Sequence, residues 1–130
     1  MSLNNKETPM LHRFWKTVGG ILIEEFIAIK ANNKKTHGTR RIDGVIIKGN
    51  DFSIKKQSEV DIENKDIIVV QVKAARLGMN LMGQTLFSSE LMKKFNPKSI
   101  EAIALCKADD DELRPLLEKF ENVKVVVDTD

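Results

Sequence analysis

From Leu11 to about Ala31, Leu11, Phe14, Trp15, Val18, Leu22, Phe26 and Ile29 recur at helical spacing, which predicts a long amphipathic helix at the start of the chain. Gly19-Gly20 would bend it or admit a neighbouring backbone, and Asn32-Asn33 with the basic stretch after them would end it. Ile42 to Ile47 is rich in β-branched residues and runs into the turn signal Lys48-Gly49-Asn50-Asp51, which predicts a hairpin. A short strand is expected within Phe52 to Val60. Ile67 to Val72 is the strongest strand of the chain, and its unbroken apolar character predicts a central position covered on both faces.

Met79 to Phe95 carries Met82, Leu86, Phe87, Leu91 and Phe95 at helical spacing and stops at Asn96-Pro97. Ile100 to Cys106 reads as another buried strand. Asp110 to Phe120 reads as a third helix with Leu113, Leu116, Leu117 and Phe120 as its face, and Val123 to Val127 as a last strand. The series α-β-β-β-α-β-α-β predicts an α/β domain whose mixed central β-sheet is flanked by helices, because crossovers place helices on sheet faces. With 130 residues the chain suits one core. We expect a flexible segment over residues 1–10, in which Met1-Ser2-Leu3 reads as partly vector-derived, and a single domain over 11–130.

Composition narrows the classes. The longest nearly apolar run, Ile21 to Ile29, is interrupted by Glu24 and Glu25 and is shorter than the roughly 20 residues a membrane span needs, so no membrane partner is expected. With no secretory signal in the polar stretch Met1 to Pro9, the expected location is cytoplasmic. The lone Cys106 lies in an apolar run and reads as core, while His12 and His37 have no zinc spacing. The net charge is only +2, yet Lys30, Lys34, Lys35, His37, Arg40 and Arg41 crowd the approach to Asp43. That placement makes them candidates for contacting phosphate.

Two apolar strands carry polar residues that packing does not need. Gln71 and Lys73 stand two apart on one strand and project from the same face, and a neighbouring strand over Ile42 to Ile47 would bring Asp43 beside them. Magnesium, or manganese in its place, suits such oxygen ligands: the Asp43 carboxylate, the Gln71 side-chain oxygen and the Val72 carbonyl, with Lys73 orienting or deprotonating the attacking water. No glycine-rich phosphate loop follows Val18-Gly19-Gly20.

Arg41-Ile42-Asp43-Gly44, the strand ending in Gln71-Val72-Lys73, a glutamate-bearing first helix and a helix after Lys73 together resemble the PD-(D/E)XK nuclease superfamily over about Val18 to Val127. The resemblance implies a restriction endonuclease-like α-β-β-β-α-β core and a magnesium-dependent nuclease acting on DNA. It assigns Asp43 to the metal and Lys73 to the superfamily's lysine, while Gln71 stands where an acidic residue is usual. Glu24 is similar to the first-helix glutamate that completes the site, with Glu25 as the alternative. Gln84 resembles a glutamine used near substrate by exonuclease-like members, although Ser88 replaces the tyrosine expected four residues later. Lys34, Lys35, Arg40, Arg41 and Arg76 would contact the substrate backbone, and a homodimer is among the expected assemblies. The alternative function is a nuclease-like module that binds DNA or protein without cutting, with Gln71 as the trace of lost catalysis.

Overall fold

Gly19 and Gly20 decide where the first helix stops. The computed structural model, which describes residues 3–130, has α1 (Glu7–Val18) ending at Gly19, with φ 76 and its N–H bonded back to the Trp15 carbonyl at 2.7 Å. Gly20 follows at φ 92, and a Cβ there would lie 2.4 Å from the Ile47 carbonyl oxygen, so glycine alone fits this crossing. The chain then continues as β1 (Gly20–Ile29), not as the long helix expected to Ala31. The misreading has a physical origin: residues four apart, such as Leu22 and Phe26, satisfy both the strand period and the helical one. At the other end α1 begins at Glu7 and buries Met10, inside the segment expected to be a flexible tail, whose first two residues lie outside the described ones.

β1 pairs antiparallel with β2 (Arg40–Ile47), from Ile21↔Ile47 to Ile29↔Arg40, so the basic stretch 30–39 is the hairpin loop. The hairpin expected after Ile47 does not form. Instead β3 (Phe52–Ile54) pairs parallel with the outer side of β1, because the free side of β2 is taken by β4 (Asp66–Arg76). After β4 come α2 (Met79–Met92), β5 (Ser99–Ala108), α3 (Leu113–Leu117) and β6 (Val123–Val127). The six-stranded sheet has the order β3-β1-β2-β4-β5-β6, with β4, β5 and β6 parallel. It is a mixed central sheet with helices on its faces, and β4 is central, as expected.

One face of the sheet packs Leu22, Ile46, Ile68, Val70 and Val72 against Met10, Leu11 and Trp15 of α1. The other face carries Ile23, Val45, Ile67 and Val69 with Met92 of α2, and a further cluster joins Leu81, Ala104, Cys106, Leu117 and Val125. Trp15 and Cys106 are core residues, as read from the sequence; the Trp15 indole N–H donates to the Gly20 carbonyl at 2.9 Å and its ring stacks on Phe52.

Two helices differ from expectation. α2 buries Leu81, Thr85, Ser88 and Met92 and leaves Phe87 outside, although helical spacing predicts Phe87 on its apolar face. Its polar residues, Asn80, Gln84, Thr85, Ser88, Ser89 and Glu90, are spread around the helix and leave no single apolar stripe, so periodicity alone does not select the inner side, where Ser88 meets a polar partner. α3 covers Leu113–Leu117 only, and Leu116 and Phe120 face solvent.

Side chains close parts of both flanks of the sheet. Beyond β3, the Gln57 amide accepts from the Ile27 N–H at 2.8 Å and donates to the Ile27 carbonyl at 2.9 Å, standing in for a neighbouring strand. On β6, Glu118 accepts from the Val125 N–H at 3.0 Å and Arg114 donates to its carbonyl at 3.3 Å. Arg13 of α1 grips Asp128, just past β6, through two hydrogen bonds of 3.0 and 2.6 Å, and Lys107 adds a third at 3.0 Å. Among the described residues no helix is long and apolar enough to cross a membrane.

Candidate functional site

The ladder between β2 and β4 runs from Ile47↔Ile67 to Gly44↔Val70 and stops there. The next positions in that register are Asp43 and Gln71. In place of a further backbone bond, the Asp43 carboxylate accepts the Val72 N–H at 2.8 Å. Since N–H and C=O of one strand residue point to the same side, the Val72 carbonyl also faces the gap between the strands. The Val72 side chain is in the core under α1.

Asp43 is only 2% exposed. Burial pushes its carboxyl up to about 6; the Val72 N–H works against that rise, and the negative charges of Glu7 and Glu25 add to it. A buried carboxylate held at a strand opening with an elevated pKa is the kind of group found at functional sites.

Glu7 is the residue that sequence reasoning missed. It is buried on the first turn of α1 and acts electrostatically on Asp43. Its N–H donates to the Asn4 side chain at 2.9 Å while its own carboxylate accepts the Asn4 N–H at 3.2 Å, a reciprocal capping box. The Asn4-x-x-Glu7 spacing, with Pro9 in the first turn, was the available signal. Gly44 completes the approach: a Cβ there would meet Leu11 at 2.8 Å, so glycine lets α1 settle onto β2 beside Asp43.

Glu24 is not on the first helix. It lies on β1, paired with Gly44, and bonds His12 of α1 at 2.8 Å. Glu25 holds the left-handed conformation, φ 52, at the register position across from Asp43. Such a backbone is sparsely populated by residues other than glycine and asparagine. Glu7 and Glu25 both add to the raised pKa of Asp43, and Glu24 makes a contact between β1 and α1 through His12.

Gln71 is buried, and its amide nitrogen donates to Ser88 of α2 at 2.5 Å. This is the polar partner that fixes the inner face of α2, and it leaves the Gln71 oxygen as the group available for a ligand. Lys73, two residues on, is exposed and lines a cavity of about 450 Å³ together with Arg76, Gly78, Asn80 and Gln84. The Arg76 guanidinium donates to the Asp109 carbonyl, so part of its capacity is spent within the chain. Lys34, Lys35, Arg40 and Arg41 are all exposed, on the hairpin loop and the first two positions of β2, two residues from Asp43 at the nearest.

Among the described residues there is no group of three His, Cys, Asp or Glu side chains placed to hold a metal ion. The donors around Asp43 are carboxylates and neutral oxygens. Such a set fits magnesium, which keeps several waters and takes one or two carboxylates, and does not fit a fully protein-ligated ion. No protein family, curated protein or solved structure matches the chain.

Proposed function

We propose that the protein is a metal-dependent nuclease that hydrolyses DNA phosphodiester bonds. The observation that carries this reading is the buried Asp43 carboxylate at the point where β2 and β4 part, with Lys73 emerging from the same strand as Val72 and Gln71. The order α1, β1, β2, β4, α2, β5 agrees with a restriction endonuclease-like core in which β3 is an added edge strand. It supports the resemblance to the PD-(D/E)XK nucleases, with Glu7 taking the first-helix role assigned to Glu24.

In this reading Asp43 holds magnesium or manganese, with Glu7, the Gln71 oxygen and the Val72 carbonyl as neighbouring donors. A magnesium or manganese ion held there would supply Lewis acidity for phosphodiester hydrolysis. Lys73 orients the attacking water and offsets charge developing on the phosphate. The exposed Lys34, Lys35, Arg40 and Arg41 hold the DNA backbone by charge, a contact that weakens with salt.

One observation favours a second reading, a binding module without catalysis. Gln71 supplies no negative charge, and its amide is committed to Ser88. The two readings separate in an assay of linear duplex, single-stranded and four-way-junction DNA with magnesium or manganese, comparing wild type with Asp43→Asn and Lys73→Ala. Cutting that both substitutions abolish, in proteins that remain folded, supports the nuclease. Absence of cutting together with absence of metal uptake by calorimetry rejects it in favour of the binding module.

A further inference from the structure

The β1–β2 hairpin changes character along its length. β3 pairs only with Gly20 to Leu22 of β1, and β4 only with Gly44 to Ile47 of β2, so from Phe26 and Ile42 to the loop the hairpin is a two-stranded ribbon. Between Glu25 and Asp43 the sequence holds Lys30, Lys34, Lys35, Arg40 and Arg41 and neither aspartate nor glutamate, in a chain whose net charge is only +2. All five cations are exposed, and among the described residues none of them forms an ion pair. The loop is nonetheless shaped from within. The Asn32 amide accepts the Thr36 N–H at 2.9 Å and donates to the Thr36 hydroxyl at 2.5 Å, the Lys35 N–H bonds the Asn32 carbonyl at 3.2 Å, and the Thr39 hydroxyl accepts the Ala31 N–H at 3.3 Å. A loop shaped before it binds loses less entropy on binding.

The cations occupy both faces of the ribbon and its end. Arg40 and Arg41 are consecutive residues of β2 and project to opposite faces, while Lys34 and Lys35 lie midway along the loop. A flat anionic surface would meet one face only, whereas a groove with a phosphate backbone on each wall meets both. Width selects the groove. Two strands about 4.8 Å apart, with their side chains, fit the major groove of B-form DNA, roughly 12 Å across, and not the minor groove of about 6 Å. The major groove of duplex RNA is too deep and narrow for side chains to read. Arg41 precedes Asp43 by two residues, about 7 Å along the strand, so a phosphate on the wall that Arg41 grips is within reach of that carboxylate. We propose that the β1–β2 ribbon enters the major groove of B-form duplex DNA, with Arg40 and Arg41 on its two phosphate walls, so that duplex DNA, and neither duplex RNA nor a single strand, is the substrate. This rests on the reading of Asp43 as a site for DNA and names which form of DNA it takes.

Fluorescence anisotropy of the full chain in EDTA, where no cutting occurs, tests the proposal on labelled duplex DNA, duplex RNA and single-stranded DNA of equal length. Duplex DNA should bind about 10-fold or more tighter than either of the others, with a log–log salt slope of about −4.5, the value for five neutralised phosphates. Arg40→Ala and Arg41→Ala should each lower the affinity and reduce that slope by about one, with the circular dichroism spectrum unchanged. Duplex DNA carrying glucosylated hydroxymethylcytosine, whose sugars fill the major groove, should bind about 10-fold more weakly, and netropsin, which fills the minor groove, should not compete. Equal affinity for duplex RNA, full affinity for the glucosylated duplex, displacement by netropsin, or a salt slope that neither arginine substitution changes overturns the proposal. Cleavage with magnesium is scored separately. Cutting of DNA whose binding ignores the ribbon removes this proposal and leaves the nuclease, whereas ribbon-dependent binding in the major groove without cutting removes the nuclease and leaves this proposal.

Discussion

Asp43 illustrates the tension between stability and chemistry at a single residue. Its carboxyl is held at about 6 in the folded chain against an ordinary 3.8, so between those values the folded state binds more protons than the unfolded one. Stability therefore falls as pH rises through this window, and above about pH 6 the buried charge costs up to about 3 kcal/mol at 1.36 kcal/mol per pH unit. Asp43→Asn, which keeps an acceptor for the Val72 N–H, should raise the Tm at pH 7.5 without divalent cations and leave it unchanged near pH 4. Equal melting curves at both pH values would contradict the burial argument. In calorimetry, magnesium uptake at Asp43 should weaken as pH drops below about 6, because the proton competes for the same carboxylate. Gly44 makes the complementary prediction: Gly44→Ala puts a methyl against the buried Leu11 and should cost about 1–3 kcal/mol in denaturant unfolding.

Among the elements, β2, β4, β5 and β6 were legible because their apolar runs are bounded by turn residues, and α2 because its stretch is long enough for a helix and stops at Asn96-Pro97, although its period does not give its inner face. β1 was not, since Leu22 and Phe26 fit strand and helix alike, and the glycines that separate it from α1 were read as a bend. That one misreading put Glu24 on the first helix, whereas the structure has it on β1 and has Glu7 on α1. Asp43, Gln71 and Lys73 could be read as an odd polar set, but the Gln71–Ser88 bond could not, since it spans 17 residues and rests on which side α2 turns inward. Nor does any sequence pattern announce the tie between α1 and the far end of the sheet, where Arg13 and Lys107 hold the Asp128 carboxylate down at about 2. That tie adds stability at pH values above the ordinary carboxylate range and loses it as pH falls toward 2. Asp128→Asn should thus lower the Tm at pH 7 and narrow its gap to wild type at pH 2.5, measured by circular dichroism.

For the whole molecule, the arrangement of charge and edges decides what can approach. The hairpin loop gathers exposed cations on one arm, while Asp109 to Glu112 form an acidic run before α3, so a modest net charge conceals two poles. Reversing Lys34 and Lys35 to glutamate should weaken DNA binding by fluorescence anisotropy and flatten its dependence on salt, with folding unaffected. Gln57, Glu118 and Arg114 answer the backbone groups of Ile27 and Val125, each a place where an incoming strand would otherwise find a template. These three polar side chains act as guards of solubility: replace them with alanine, and a molecule with its core intact would begin to recruit its neighbours into fibrils at concentrations the native chain tolerates.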